Sequence, residues 1–104
     1  MNRKLENGCL ILQLETDLTA AKVKDLIFKT QEFLSSEEEY NCIVLDFSKI
    51  QYVDSIGVTF VVQLYKTAKN AGKEFKLTHV GKDIIQLFQL IKLDSLFEIG
   101  TVKA

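Results

Sequence analysis

The apolar positions of this chain change their period along its length, and those changes mark its elements. "KLENGCLILQL" sets Asn7-Gly8 between two strand-like runs, the composition of a two-residue type I′ turn, so the chain is predicted to open with an antiparallel hairpin. From Thr19, a candidate N-cap, Val23, Leu26, Ile27, Thr30 and Leu34 recur at helical spacing, and the pattern dissolves in "SSEEEYN". "CIVLDF" at 42–47 is continuous and β-branched, as expected of a central strand covered on both faces. A second helix should run to about Ala71 and stop at Gly72. "EFKLTHV" alternates as a strand, "KDIIQLFQLIKL" reads as a third helix and "LFEIGTV" as a last edge strand. The order β-β-α-β-α-β-α-β predicts an α/β fold: a mixed sheet of about five strands with crossover helices packed on it.

Composition narrows this picture without changing it. The chain has 104 residues, 47% hydrophobic and 26% charged, which suits one compact domain spanning 1–104. Thirteen Lys and Arg against fourteen Asp and Glu leave no electrostatic footprint for direct nucleic-acid binding. No apolar run approaches the ~18 residues of a membrane span, so no membrane insertion is expected and the chain reads as cytoplasmic. Cys9 and Cys42 lie far apart in apolar stretches, which is neither zinc-ligand spacing nor a secreted disulfide framework. They are expected as unpaired, buried thiols in neighbouring strands.

Catalytic chemistry finds few candidates. The single histidine, His79, has no cysteine or carboxylate at metal-ligand spacing and is read as structural. No Ser-His-Asp set, GxGxxG or GxxxxGK run can be named, so the expectation is no enzyme, no metal and no cofactor. The acidic run "SSEEEY" at 35–40 is taken as a solvated helix exit. Asp46 ends a central strand where a phosphoacceptor aspartate could stand, but "LETDLT" lacks the adjacent acidic pair that would hold its magnesium ion.

"YVDSIGVTF" at 52–60 holds the remaining chemistry. Asp54 or Ser55 falls where an N-cap is needed. At about 100° per residue, Gly57, Phe60, Val61, Leu64 and Ala68 form one stripe, the expected core face. Ser55, Thr59, Val62 and Lys66 take the other side with Ile56 and Gln63 near them, so Ile56 and Val62 are expected as apolar groups on a solvent face beside a hydroxyl. Phe28 lies about 140° from the core stripe of the first helix, which suits a second contact surface or packing against a loop.

The segment "IVLDFSKIQYVDSIGVTFVVQLYKTAKNAGKEFKLTHV", continued by "LFQLIKLDSLFEI", resembles the STAS domain family over about residues 9–100. Its Asp-Ser-x-Gly signature follows a buried strand and opens a helix that ends in "KNAGKEF". In the bacterial antagonist branch, the resemblance implies a partner switch acting on sigma factors. The unmodified domain would bind an anti-sigma factor, often itself a serine kinase. Phosphorylation of Ser55 would dissolve the complex, and a serine phosphatase would restore it. Asp54, Ile56, Gly57, Thr59 and Val62 become partner-binding positions. The departures are Ile56 where many relatives carry a second hydroxyl, Thr59 where a small residue is common, and Thr16 and Thr19 in place of glycine and aspartate in a loop that commonly lies near the phosphorylated serine. A STAS scaffold, a subunit of a membrane transport complex or a nucleotide-sensing module remains the alternative. Neither reading fixes the oligomeric state.

Overall fold

A computed structural model describes residues 2–34 and 39–101. Two positive φ angles open it: Asn7 at 51° and Gly8 at 79° make the tight turn between β1 (Asn2–Glu6) and β2 (Cys9–Gln13). Those strands pair antiparallel, with Glu6 opposite Cys9, as the Asn-Gly pair predicts. Each later strand arrives through a helix and joins in parallel: β3 (Cys42–Asp46) after α1 (Ala20–Leu34), β4 (Glu74–Val80) after α2 (Ser55–Asn70), and β5 (Glu98–Thr101) after α3 (Lys82–Leu90). The five strands lie in sheet order β1-β2-β3-β4-β5. This is the predicted mixed five-stranded sheet with three helices.

The strand order never reverses, so crossovers of one hand deposit every helix on the same face of the sheet. One buried cluster accordingly joins Leu10 and Leu12 of β2, Ile43 and Leu45 of β3 and Leu77 of β4 to residues of all three helices. This corrects the expectation that β3 is covered on both faces. Cys42 and Val44 point to the helix-free face and are still only 3% and 5% exposed. Their register neighbours on β2 and β4, Cys9, Ile11 and Lys76 among them, close around them, and a lysine stem can shield apolar surface while its ammonium stays wet. A continuous apolar run signals burial, not what does the burying.

The ends of the helices separate good sequence signals from weak ones. After α2, Gly72 has φ 73°, its amide donates to Lys69 O at 3.0 Å, and the Lys73 amide reaches Ala68 O at 2.9 Å. That pair of bonds is a Schellman closure at the predicted glycine. The third helix is shorter than predicted. It ends at Leu90, and Lys92 turns left-handed at φ 64° before a single 3-10 turn at Leu93–Ser95. The apolar residues past that end, Ile91 and Leu93, mimicked helical continuation. In α1, Thr30 is buried as predicted while Ile27 is largely exposed, and Phe28 faces solvent away from the stripe. The core of the acidic run, 35–38, lies outside the described residues.

Candidate functional site

Two loops meet at the carboxyl ends of β2 and β3. Leu18 and Val53 form a parallel bridge, the Leu18 amide donates to Tyr52 O at 3.0 Å, and the Asp54 amide donates to Leu18 O at 3.0 Å. Asp17 fastens the same junction, one carboxylate oxygen accepting from the amides of Gln51 at 2.8 Å and Tyr52 at 3.2 Å. The backbone leading into α2 is therefore fixed before the helix starts.

Asp54 is the N-cap of α2, which settles the choice between it and Ser55. Its Oδ1 accepts from the Gly57 amide at 2.9 Å. Its Oδ2 accepts from the amide of Ala20, the first residue of α1, at 2.8 Å. One carboxylate thus serves the starts of two helices, each of which presents unsatisfied amides and a positive dipole end. The Gly57 amide first, and then the Ala20 amide, hold the Asp54 carboxyl below its ordinary value. Thr19 stands at the α1 boundary, where its carbonyl accepts from Lys22 and Val23, each at 2.9 Å.

Gly57 is where close approach demands glycine. A Cβ there would strike the Leu18 carbonyl oxygen and come within 2.7 Å of the Leu18 Cβ. The residue is buried against its own chain, so its bearing on any partner is indirect. Val62 also differs from expectation. It is half-buried and packs on the core cluster, although its helical phase sets it away from the inner stripe.

The other predicted positions come together at the surface. Ser55 is exposed as the first residue of α2, Ile56 beside it is 47% exposed, and the Thr59 hydroxyl donates back to Ser55 O at 3.0 Å. Tyr52, 68% exposed just before the cap, was missed in the sequence reading. Its signal was an aromatic residue within three positions of the serine. His79 lies elsewhere, with Nδ1 3.8 Å from the Asp46 carboxylate. Among the described residues, no group of three or more His, Cys, Asp or Glu side chains could hold a metal ion.

What the fold and this site define is a small α/β domain that displays a serine hydroxyl at a helix start braced from two loops. The chain belongs to the STAS domain family, whose model matches residues 1–103. A Thermotoga maritima protein provisionally named an anti-sigma factor antagonist has a crystal structure similar to this fold. The TM-score is 0.81 at 23% identity, covering 95% of this chain and 84% of that one. A solution NMR structure of that protein gives 0.77 at 23% identity, over 96% and 79%. A chain from the stressosome, described as a signal integration and transduction hub, gives 0.73 at 16% identity, over 96% and 87%. At these identities the likeness is one of fold. Among the described residues, no helix is long and apolar enough to cross a membrane.

Proposed function

We propose that this domain is a phosphorylation-controlled protein-binding switch of the anti-sigma factor antagonist type, with Ser55 as the acceptor. The observation that carries the reading is the exposed Ser55 at the first position of a helix whose start is held by Asp54. A kinase can reach a hydroxyl there without unfolding anything, and the first-turn amides and dipole tolerate the added anion. Phosphate brings roughly −1.5 to −2 charges, next to Asp54 and beside the apolar Ile56. A partner seated on Ile56 and Tyr52 would have to desolvate that charge, at a cost of several kcal/mol if it stayed unpaired. The unmodified domain would hold an anti-sigma factor, itself a serine kinase, in the cytoplasm and so free a sigma factor; a serine phosphatase would reset the cycle. In this scheme the domain is a kinase's substrate and not a catalyst.

The test uses wild-type, Ser55→Ala and Ser55→Asp proteins as baits in extract of the source cell, with and without ATP, followed by mass spectrometry of the bait. The expected result is phosphate on Ser55 of the wild type, ATP-dependent loss of an anti-sigma partner from it, retention by the Ala form and failure of the Asp form to bind. Equal retention by all three, with Ser55 unmodified, would move the assignment to a scaffold or a subunit of a transport complex.

A further inference from the structure

The helix-free face of the sheet carries an ordered pattern of its own, because strand register sets its side chains in rows that cross the strands. One row is Glu6, Cys9, Cys42 and Glu74, on β1 to β4 in turn. The next, two residues along each strand, is Lys4, Ile11, Val44 and Lys76. Each row therefore has an apolar middle and a charge at either end, acidic in the first and basic in the second. Cys42 and Val44 are buried between their neighbours, whereas Cys9 and Ile11 stay half-open, and among the described residues no helix covers them.

We propose that this face is an interface between two copies of the chain, stacked sheet on sheet about a two-fold axis that crosses the strands between the two rows. A half-turn about that axis lays the acidic row of one copy on the basic row of the other. Glu6 then meets Lys4 of the second copy and Glu74 meets its Lys76, each pair occurring twice, while Cys9 and Cys42 pack on Ile11 and Val44. The charges select this arrangement. An axis centred on either row, or one running along the strands, would set lysine on lysine or glutamate on glutamate, and facing like charges reject a partner. Stacked sheets lie about 10 Å apart with their strands about 30° out of line, which displaces the flanking charges by a few ångström, within reach of a lysine stem. Lys4 Nζ already lies 2.8 Å from Glu6 Oε2 of its own chain, so the two-fold closes the four charges at β1 into a ring of alternating sign. Four strands about 4.8 Å apart, each giving about five residues at roughly 3.3 Å, make a footprint of about 20 by 16 Å per copy. That is small beside the roughly 800 Å² per partner of a standard interface, so the dimer forms and parts readily. Because the helices lie on the opposite face, Ser55 stays open in both copies.

The experiment is sedimentation equilibrium of the reduced full chain from about 1 μM to about 1 mM, with pulsed maleimide labelling of Cys9 followed over the same range. A monomer–dimer equilibrium with a Kd above about 1 μM is expected, and Cys9 should label more slowly as the dimer accumulates. Lys4→Glu and Glu6→Lys change exposed side chains and should keep the native circular dichroism. Each alone sets like charges face to face and should weaken self-association at least about tenfold. Mixed in equal amounts, the two variants should pair with each other at least as tightly as the wild type pairs with itself, since every facing charge is then opposite. A chain that stays monomeric up to about 1 mM would overturn the interface. So would self-association that Lys4→Glu leaves unchanged. A dimer in which Cys9 labels at the same rate at every concentration would place the contact elsewhere, at the free edge of β1 for example, and would overturn it too.

Discussion

Two of the helices start in opposite ways. The α2 start is held from several sides: Asp54 caps it and also reaches α1, the Asp54 amide is held by Leu18, and Gly57 lies against the Leu18 backbone. At α3 the cap position is Gly81, which offers no side-chain bond and has nothing within 4 Å of where a Cβ would stand. Two glycines near two helix starts thus do unrelated things. The first is required by contact; the second leaves a position unused. A start as constrained as that of α2 can receive a charged group without rearranging, so a change at Ser55 is read at the surface and not in the fold.

The sharpest way to break this contrast is to add atoms at both glycines. Gly57→Val should displace the Leu18 peptide, break the Asp54–Leu18 bond and cost about 3 kcal/mol or more in urea unfolding, as overpacking against backbone does. Gly81→Ala should stay within about 0.5 kcal/mol of the wild type. Similar losses at the two sites would remove the distinction.

Next comes the carboxylate. Asp54→Asn keeps a good capping residue but only one acceptor oxygen, so its NH₂ must face either the Gly57 or the Ala20 amide, donor against donor. The variant should be less stable at neutral pH, by less than Gly57→Val. The acid limb supplies a second readout. Because the Asp54 carboxyl is held below its ordinary 3.8 in the folded protein, its contribution is complete above that value. It is lost as pH falls through the lower, folded-state value. The wild-type advantage over Asp54→Asn should therefore be flat from neutral pH to about 4 and shrink below it. An advantage that persists unchanged to pH 2 would mean that the carboxylate's charge is not what joins the helix starts.

A change at Ser55 should leave stability alone and move binding. Since Asp54 is the cap, Ser55→Ala and Ser55→Asp should both unfold within about 0.5 kcal/mol of wild type. Ser55→Asp should bind the proposed anti-sigma partner at least about tenfold more weakly, about 1.4 kcal/mol, by isothermal titration. Ile56→Glu, at an exposed position, should do the same. Val62→Glu is a poorer probe than its helical phase suggested, because Val62 packs on the core.

These outcomes also measure what the sequence could convey. The inner stripe of α2 was legible residue by residue: Gly57, Phe60, Val61, Leu64 and Ala68 are its buried positions, because helical phase is a local property. The strands and the Asn7-Gly8 turn were legible for the same reason. The second role of Asp54 was not, since Ala20 lies 34 residues away and no local pattern reports a bond between two helix starts. Nor could the sequence show that β3 has a helix-free face. That follows from strand order, which the run "CIVLDF" does not carry. Cys9 and Cys42 were expected in neighbouring strands, but their direct opposition depends on register and could not be read from spacing, and Cys9 proves only half-buried.

The smallest effect tests the unused start. Gly81 sits at φ −67° and ψ 156°, extended backbone that any residue adopts, so a side chain there meets neither strain nor contact. Gly81→Asp would supply the missing acceptor to the first turn of α3 and place a negative charge at the positive end of its dipole. Asp83 already occupies that first turn and Lys82 stands beside the new carboxylate. Repulsion from Asp83 and attraction to Lys82 partly cancel, so the gain should be about 0.5 kcal/mol, the lower part of what capping and dipole effects provide. It should appear as a higher urea midpoint with an unchanged slope, and it should vanish near pH 2 as the new carboxyl is protonated. Ser at the same position should give a smaller gain that does not depend on pH. A loss of stability in both variants would mean that Gly81 is held by a contact as specific as the one at Gly57.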